Sequence, residues 1–236
     1  ALCVTLAHAG AQTVDNRAVG YCVRYEKQHL FLQKDSGLNV VDYDIEWPEV
    51  VGYSHVPRLQ RYISESIAGE PTLGFDSLAT SLRQRYGTPV SRMFSEIPDD
   101  RRFCYVTASA RVVGYEPNHW IAYQFEGRAG QEVSFKAEAF DRVVVCDLTD
   151  GKLYQASNLA SSGIMNRNEP QDFYDLLFQP LDDNFFNTMT SYEIDGVWVA
   201  RGQLCFLIKA NAPDASQTYT ASMPLSAYAY ALSRQG

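Results

Sequence analysis

The chain has 236 residues, 46% of them hydrophobic and 13% aromatic, with 20 Lys and Arg against 28 Asp and Glu for a net charge of −8. That is enough apolar material for one sizeable domain or two small ones sharing an interface, which excludes wholesale disorder. The acidic balance excludes the basic face that nucleic acid recruits, and past the first residues no stretch approaches the roughly 18 apolar residues of a membrane-spanning helix.

The opening residues, ALCVTLAHAGAQ, read as the back half of a secretory signal. An apolar stretch precedes small residues at Ala7-His8-Ala9 and Ala9-Gly10-Ala11, and either is an A-x-A cleavage pattern. The expectation is a signal over residues 1–11 and an exported mature chain. Setting Cys3 aside leaves Cys22, Cys104, Cys146 and Cys205, an even number compatible with two disulfides outside the cytoplasm. Each also sits in an apolar strand-like run, where a free thiol acts as a small buried hydrophobe. No C-x-x-C spacing supports zinc or thioredoxin-like chemistry.

Val19 to Phe31 and Asn39 to Trp47 read as strands joined at Asp35-Ser-Gly37. In the second, Val41, Tyr43, Ile45 and Trp47 alternate with Asp42, Asp44 and Glu46, so period two puts the carboxylates on one face and the apolar groups on the other. Pro48 is expected to stop this strand. Ser54-His-Val-Pro57 opens a helix with Val56, Leu59, Ile63 and Ile67 inward. After the loop Gly69 to Gly74, a second helix carries Phe75, Leu78, Ala79, Leu82 and Tyr86, and ends at Gly87-Thr-Pro89.

A polar turn at Glu96 to Arg101 precedes a hairpin of Phe103 to Tyr115 and Trp120 to Glu126, joined at Glu116-Pro-Asn118. Glu132 to Cys146 is further strand, and Asp150-Gly151 signals a tight type I′ turn. A Ser/Asn-rich loop, Ser157 to Asn168, leads through the capping pair Asn168 and Gln171 into a helix with Phe173, Leu176 and Leu177 inward. Asp182-Asp183-Asn184 reads as another helix cap. Val197 to Val199 and Leu204 to Ile208 flank the turn Arg201-Gly202. The second run is short and continuous, as expected of a strand buried on both faces. Asn211-Ala-Pro213-Asp214 reads as a loop, Tyr219 to Met223 as an edge-like strand, and Pro224 as the start of a helix carrying Leu225, Tyr228, Ala229 and Leu232. The irregular alternation of strands and helices excludes a doubly wound sheet and predicts an α+β fold. Mixed, largely antiparallel sheets would carry a few short helices, with two subdomains in one compact unit.

The order of these motifs resembles the RsiV family of bacterial extracytoplasmic domains. Ala212-Pro213-Asp214 and Met223-Pro224-Leu225-Ser226 fall where that family has an Ala-Pro-aromatic loop and a strand ending Ile-Pro-Tyr-Ser. Tyr43, Ile45, Pro48, Leu59 and Ile63 fall on the Y-x-I-x-x-P and L-x-x-x-I positions of the PdaC-like half that accompanies it. VVVCDLTDGKLYQ is similar to its D-x-x-t-G-k turn, and Asp175-Leu-Leu-Phe178 to its D-L-F helix. The resemblance implies a PdaC-like half over residues 12–150 and an RsiV-like half over residues 151–236. It further implies an envelope module of the free-standing, exported kind. Some members sense lysozyme by direct binding, and others precede a polysaccharide deacetylase.

Little chemistry is visible. His29, His55 and His119 form no paired ligand set, and no G-x-S-x-G elbow or phosphate loop occurs. The expectation is no catalytic residue, no metal and no cofactor. Candidate ligand contacts are Pro213 and Asp214, in the loop that contributes to lysozyme binding in the sensing members, where Asp214 replaces an aromatic. The others are Asn118, His119 and Trp120 at a hairpin tip. The partner is then a lysozyme-like protein or a peptidoglycan glycan. The competing enzyme reading places a glycan hydrolase on Asp42, Asp44, Glu46 and Glu49. The plainer reading of those carboxylates is a solvated face that discourages edge pairing. A third reading is a structural interaction domain.

Overall fold

The computed structural model describes residues 12–16, 21–34, 37–51, 56–72, 74–90, 103–131, 134–155, 163–164 and 172–226. The expectations for residues 1–11, His55, the polar turn at 96–101, the loop at 157–168 with its capping pair, and the closing helix beyond Ser226 lie outside these. The fold is α+β, with one eight-stranded and one four-stranded sheet, mostly antiparallel, and short helices.

The larger sheet begins with β1 (Gln12–Asn16), β2 (Tyr21–Lys34) and β3 (Gly37–Val51), each antiparallel to its neighbour. The alternation read in the sequence decides which face of β3 is covered. Val41, Tyr43, Ile45 and Trp47 are all buried, and α1 (Val56–Ala68) and α2 (Phe75–Tyr86) follow directly. Leu59, Ile63 and Ile67 of α1, and Phe75, Leu78 and Leu82 of α2, are buried as the helical stripes predict. Pro48 does not stop β3. The register passes from Val23↔Pro48 to Cys22↔Val50, leaving Glu49 as the extra residue of a β-bulge, a place where a sheet tolerates proline.

After β4 (Thr88–Pro89), which pairs with β2, β5 (Phe103–Glu116) returns parallel to β3, with Leu38↔Phe103 through Ile45↔Ala110 in register. Parallel neighbours need a long crossover, and α1 and α2 lie within it. The sheet continues through β6 (Trp120–Gln131), β7 (Ser134–Asp147) and β8 (Leu153–Gln155). The β7–β8 turn is longer than type I′. Cys146 pairs with Leu153, Asp147 N–H donates to Lys152 O at 2.9 Å, and Gly151 alone takes positive φ (72°).

The smaller sheet has the order β12–β11–β10–β9, from β9 (Gly163–Ile164), β10 (Ser191–Ala200), β11 (Gln203–Ala212) and β12 (Ala215–Pro224). Arg201 and Gly202, at φ 52° and 75°, make the β10–β11 turn with the two positive φ values of type I′. Leu204 to Ile208 are buried without interruption, as their unbroken apolar run predicts. One face of this sheet packs Leu204, Phe206, Ile208, Ala221 and Met223 with Leu177 and Phe178 of α3 (Asp172–Phe178) and Phe185 of α4 (Asp183–Thr188). Asp182 caps α4, accepting from the Phe185 N–H at 2.9 Å. The other face packs Trp198, Cys205 and Leu207 with Ala122 and Val143. The loop read at Asn211 to Asp214 is shorter than expected. Ala212 pairs with Ala215, so only Pro213 and Asp214 turn. Pro224 is the last residue of β12, paired with Gln203, and Leu225 and Ser226 turn helical directly after it, as expected.

By backbone proximity the chain divides into two compact units. Ala1–Arg111, Phe125–Phe140 and Leu148–Gly151 form the first, and Val112–Gln124, Asp141–Asp147 and Lys152–Gly236 the second, so β5, β6 and β7 each change unit part-way.

Candidate functional site

In the first unit the register of β2, β3 and β5 builds the sheet face opposite α1 and α2. Tyr25, Lys27 and His29 stand opposite Glu46, Asp44 and Asp42, while Ser109 and Thr107 of β5 stand beside Asp44 and Asp42. The acidic row therefore lies on an interior strand, which corrects the expectation that it guards an edge. Its aspartates are also partnered from both neighbouring strands. His29 Nδ1 hydrogen-bonds Asp42 Oδ1, and Arg111 Nη2 donates to Asp44 Oδ2 at 2.6 Å. Partial burial, then the negative charge of Asp44, push the Tyr25 phenol up from its ordinary value. The hydrogen bond to Asp44 is also the chief reason the Arg111 guanidinium is raised, which holds it as the cation. Glu49, displaced into the bulge, does not belong to this row.

The second unit carries the two predicted contact segments. Glu116 to His119 are exposed, with Asn118 at φ 61° and the His119 N–H donating to Glu116 O at 3.1 Å. Trp120 differs from its neighbours. It is half-buried and packs against the cluster of Ala122, Val143, Trp198, Cys205 and Leu207. Gly114 makes room for it, since a Cβ there would lie 3.0 Å from the Trp120 ring and 2.7 Å from Val199 O. Pro213 and Asp214 form the exposed tip between β11 and β12. The two segments are not brought together. Trp120 neighbours Trp198, which pairs with Cys205, and from Cys205 to Pro213 β11 runs on the order of 26 Å at about 3.3 Å per residue.

No family model and no curated protein matches the sequence. Solved structures do match. A member of the DUF3298 family from Bacteroides fragilis superposes with a TM-score of 0.55 at 11% identity, covering 92% of each chain. A DUF3298 family protein from Pseudomonas aeruginosa superposes with a TM-score of 0.50 at 12% identity, covering 94% of each. This chain has the fold of DUF3298 family proteins.

Within that DUF3298 fold, a buried polar node went unread in the sequence. Glu26 is only 5% exposed and sits on the helix-covered face of β2, beside Ile45. It accepts from the Tyr43 hydroxyl at 3.2 Å and from the Gln28 amide, with Arg24 Nη2 at 3.7 Å. Burial, then the charge of Glu26, push the Tyr43 phenol far up. Arg24 lies 4.5 Å over the Phe75 ring and reaches Asp76 at 3.3 Å, so the node ties α2 to the sheet. β2 carries polar residues on both faces, so its periodicity was mute. The available signal was its neighbour β3, whose pattern fixes the covered side.

Asp195 was also missed. It is the residue skipped by the register between Ile194 and Gly196, and burial, then Glu193, raise its carboxyl. Cys146 and Cys205 are buried thiols that form no disulfide, and burial pushes Cys205 up. The side chains of Cys22 and Cys104 lie outside the described set. Among the described residues no group of three or more His, Cys, Asp or Glu is placed to hold a metal ion, and no helix is long and apolar enough to cross a membrane.

Proposed function

We propose that this chain is an exported, non-catalytic binding module of the bacterial cell envelope, taking a lysozyme-like protein or a cell-wall glycan as its ligand. The observation that carries the non-catalytic reading is the pairing of the acidic row. A glycosidase needs one carboxyl held protonated beside a second, ionised one. Asp44 is instead matched to the Arg111 guanidinium at 2.6 Å, and Asp42 is hydrogen-bonded to His29. The envelope setting rests on the motif resemblance. The ligand-binding reading rests on the Pro213–Asp214 tip, which stands exposed where the sensing members use the equivalent loop. An acidic surface also favours encounter with a basic protein such as lysozyme.

The test is binding of the purified chain to lysozyme and to soluble peptidoglycan fragments at low and physiological salt. Saturable binding weakened at least tenfold by P213A/D214A is the expected result. Binding to neither would remove this reading and leave a structural interaction domain. Release of glycan fragments, abolished by D42N/D44N, would replace it with the hydrolase.

A further inference from the structure

We infer that β12 is a homodimerisation edge, pairing antiparallel with β12 of a second copy of this chain about a two-fold axis at Tyr219. The described sheet edges are unequal. β1, β8 and β9, at the other ends of the two sheets, have five, three and two residues. β12 has ten, ASQTYTASMP, with no charged side chain and no proline before its last position. Its ladder with β11 runs from Gln203↔Pro224 to Ala212↔Ala215 without a register shift. Proteins normally blunt a long edge with charge, proline, a bulge or brevity, and this edge has none of them until Pro224. Residues 215–218, Thr220 and Ser222 are exposed, and no further described strand pairs with β12.

The sequence of the edge selects a second copy over an unrelated strand. Ser216-Gln-Thr-Tyr219-Thr-Ala-Ser222 is nearly palindromic about Tyr219. A two-fold antiparallel register centred there sets Thr218 opposite Thr220 of the second copy, and Ser216 opposite Ser222, on both sides of the axis. Tyr219 then meets its own equivalent on the other face. Directly opposed Thr–Thr and Ser–Ser pairs are favourable cross-strand neighbours, and an isologous contact demands this self-complementarity. The product is one continuous sheet of eight strands, formed from the two four-stranded sheets. The Pro213–Asp214 tip stays outside the paired stretch, so ligand binding there is independent of the dimer.

The test is sedimentation equilibrium or light scattering across about 1–200 μM, because one strand pair lies at the low end of interface sizes and implies micromolar association. Wild-type chain is expected to dimerise. T218K/T220K sets lysine opposite lysine twice and should weaken dimerisation at least tenfold, with circular dichroism and the monomer's urea midpoint unchanged. T218K/T220E in one chain sets lysine opposite glutamate twice and should restore it. A wild-type monomer at 200 μM overturns the proposal. So does a dimer indifferent to T218K/T220K, or a failure of T218K/T220E to recover association.

Discussion

Arg111 of β5 reaches across a parallel strand pair to Asp44 of β3, Nη2 to Oδ2 at 2.6 Å, with the aspartate side chain 15% exposed and the arginine 58%. The pair is thus buried at one end and open at the other. Removing the open end leaves a carboxylate with little water to turn to. R111A should cost about 1–3 kcal/mol, above the ~0.2–1 of exposed pairs and below the ~3–5 of fully buried ones. Urea unfolding of R111A, D44N and the double variant checks this. The double should lose clearly less than the sum of the singles, because its second change removes the charge that the first stranded. Strict additivity would mean that the two side chains do not interact.

Two phenols predict how the fold fails in alkali. Burial raises Tyr219, and burial followed by the Glu26 charge raises Tyr43. A folded pKa above the unfolded one, about 10 for tyrosine, means that the native state keeps its proton longer. Stability from these groups is therefore complete below pH ~10 and is lost as pH rises from there towards the folded values, at about 1.4 kcal/mol per pH unit for each. Y43F and Y219F should each flatten that slope between pH 10 and 11 in denaturant titrations. They should diverge at pH 7. Y43F takes a donor from Glu26 and destabilises. Y219F deletes a hydroxyl that is buried without a partner among the described residues, and should be neutral or stabilising by up to about 1 kcal/mol.

What the sequence disclosed follows from where its patterns were unambiguous. Tyr43, Ile45 and Trp47 alternate with acids, so both the strand and its buried side could be read. Leu204 to Ile208 could be read as doubly buried because no polar residue interrupts them. Arg201-Gly202 carried its own turn chemistry. The parallel pairing of β3 with β5 left no such mark, since it joins residues 65 positions apart, such as Asp44 and Ser109, and periodicity is local. Pro48 misled for a related reason. Its missing N–H argues against a regular ladder, but the Glu49 bulge removes the need for one. The hydrogen-bond partners of the acidic row, His29 and Arg111, lie on two other strands, so no reading of β3 alone exposes them.

Two glycines separate strain from collision. Gly202 has φ 75° and open space around a would-be Cβ, so G202A should cost only the left-handed penalty, about 1 kcal/mol. Gly87 has φ 116°, and a Cβ there would lie 2.3 Å from Gln33 O and 2.8 Å from Lys34 N, which are backbone atoms that cannot swing aside. Strain and overpacking then add, for about 2–5 kcal/mol in G87A. Thermal melts of the two variants order them, and a G87A protein as stable as G202A would contradict this close approach of the α2 C-terminus to β2.

The buried thiols yield a last expectation. Cys146 and Cys205 are 0% and 7% exposed, and Cys205 is further held as the unreactive thiol because burial raises it. A thiolate is the species that alkylating reagents attack. Peptide-resolved labelling at pH 8 should therefore leave both unmodified in the native protein, and modify both once urea exposes the strands. Because Cys205 packs with Trp198 and Leu207, its labelling rate reports opening of that core. It should follow global unfolding, as expected of a central strand hydrogen-bonded on both sides. Rapid native labelling of Cys205 would mean that β11 opens separately from the rest of its sheet, which its unbroken ladders to β10 near Cys205 and to β12 argue against.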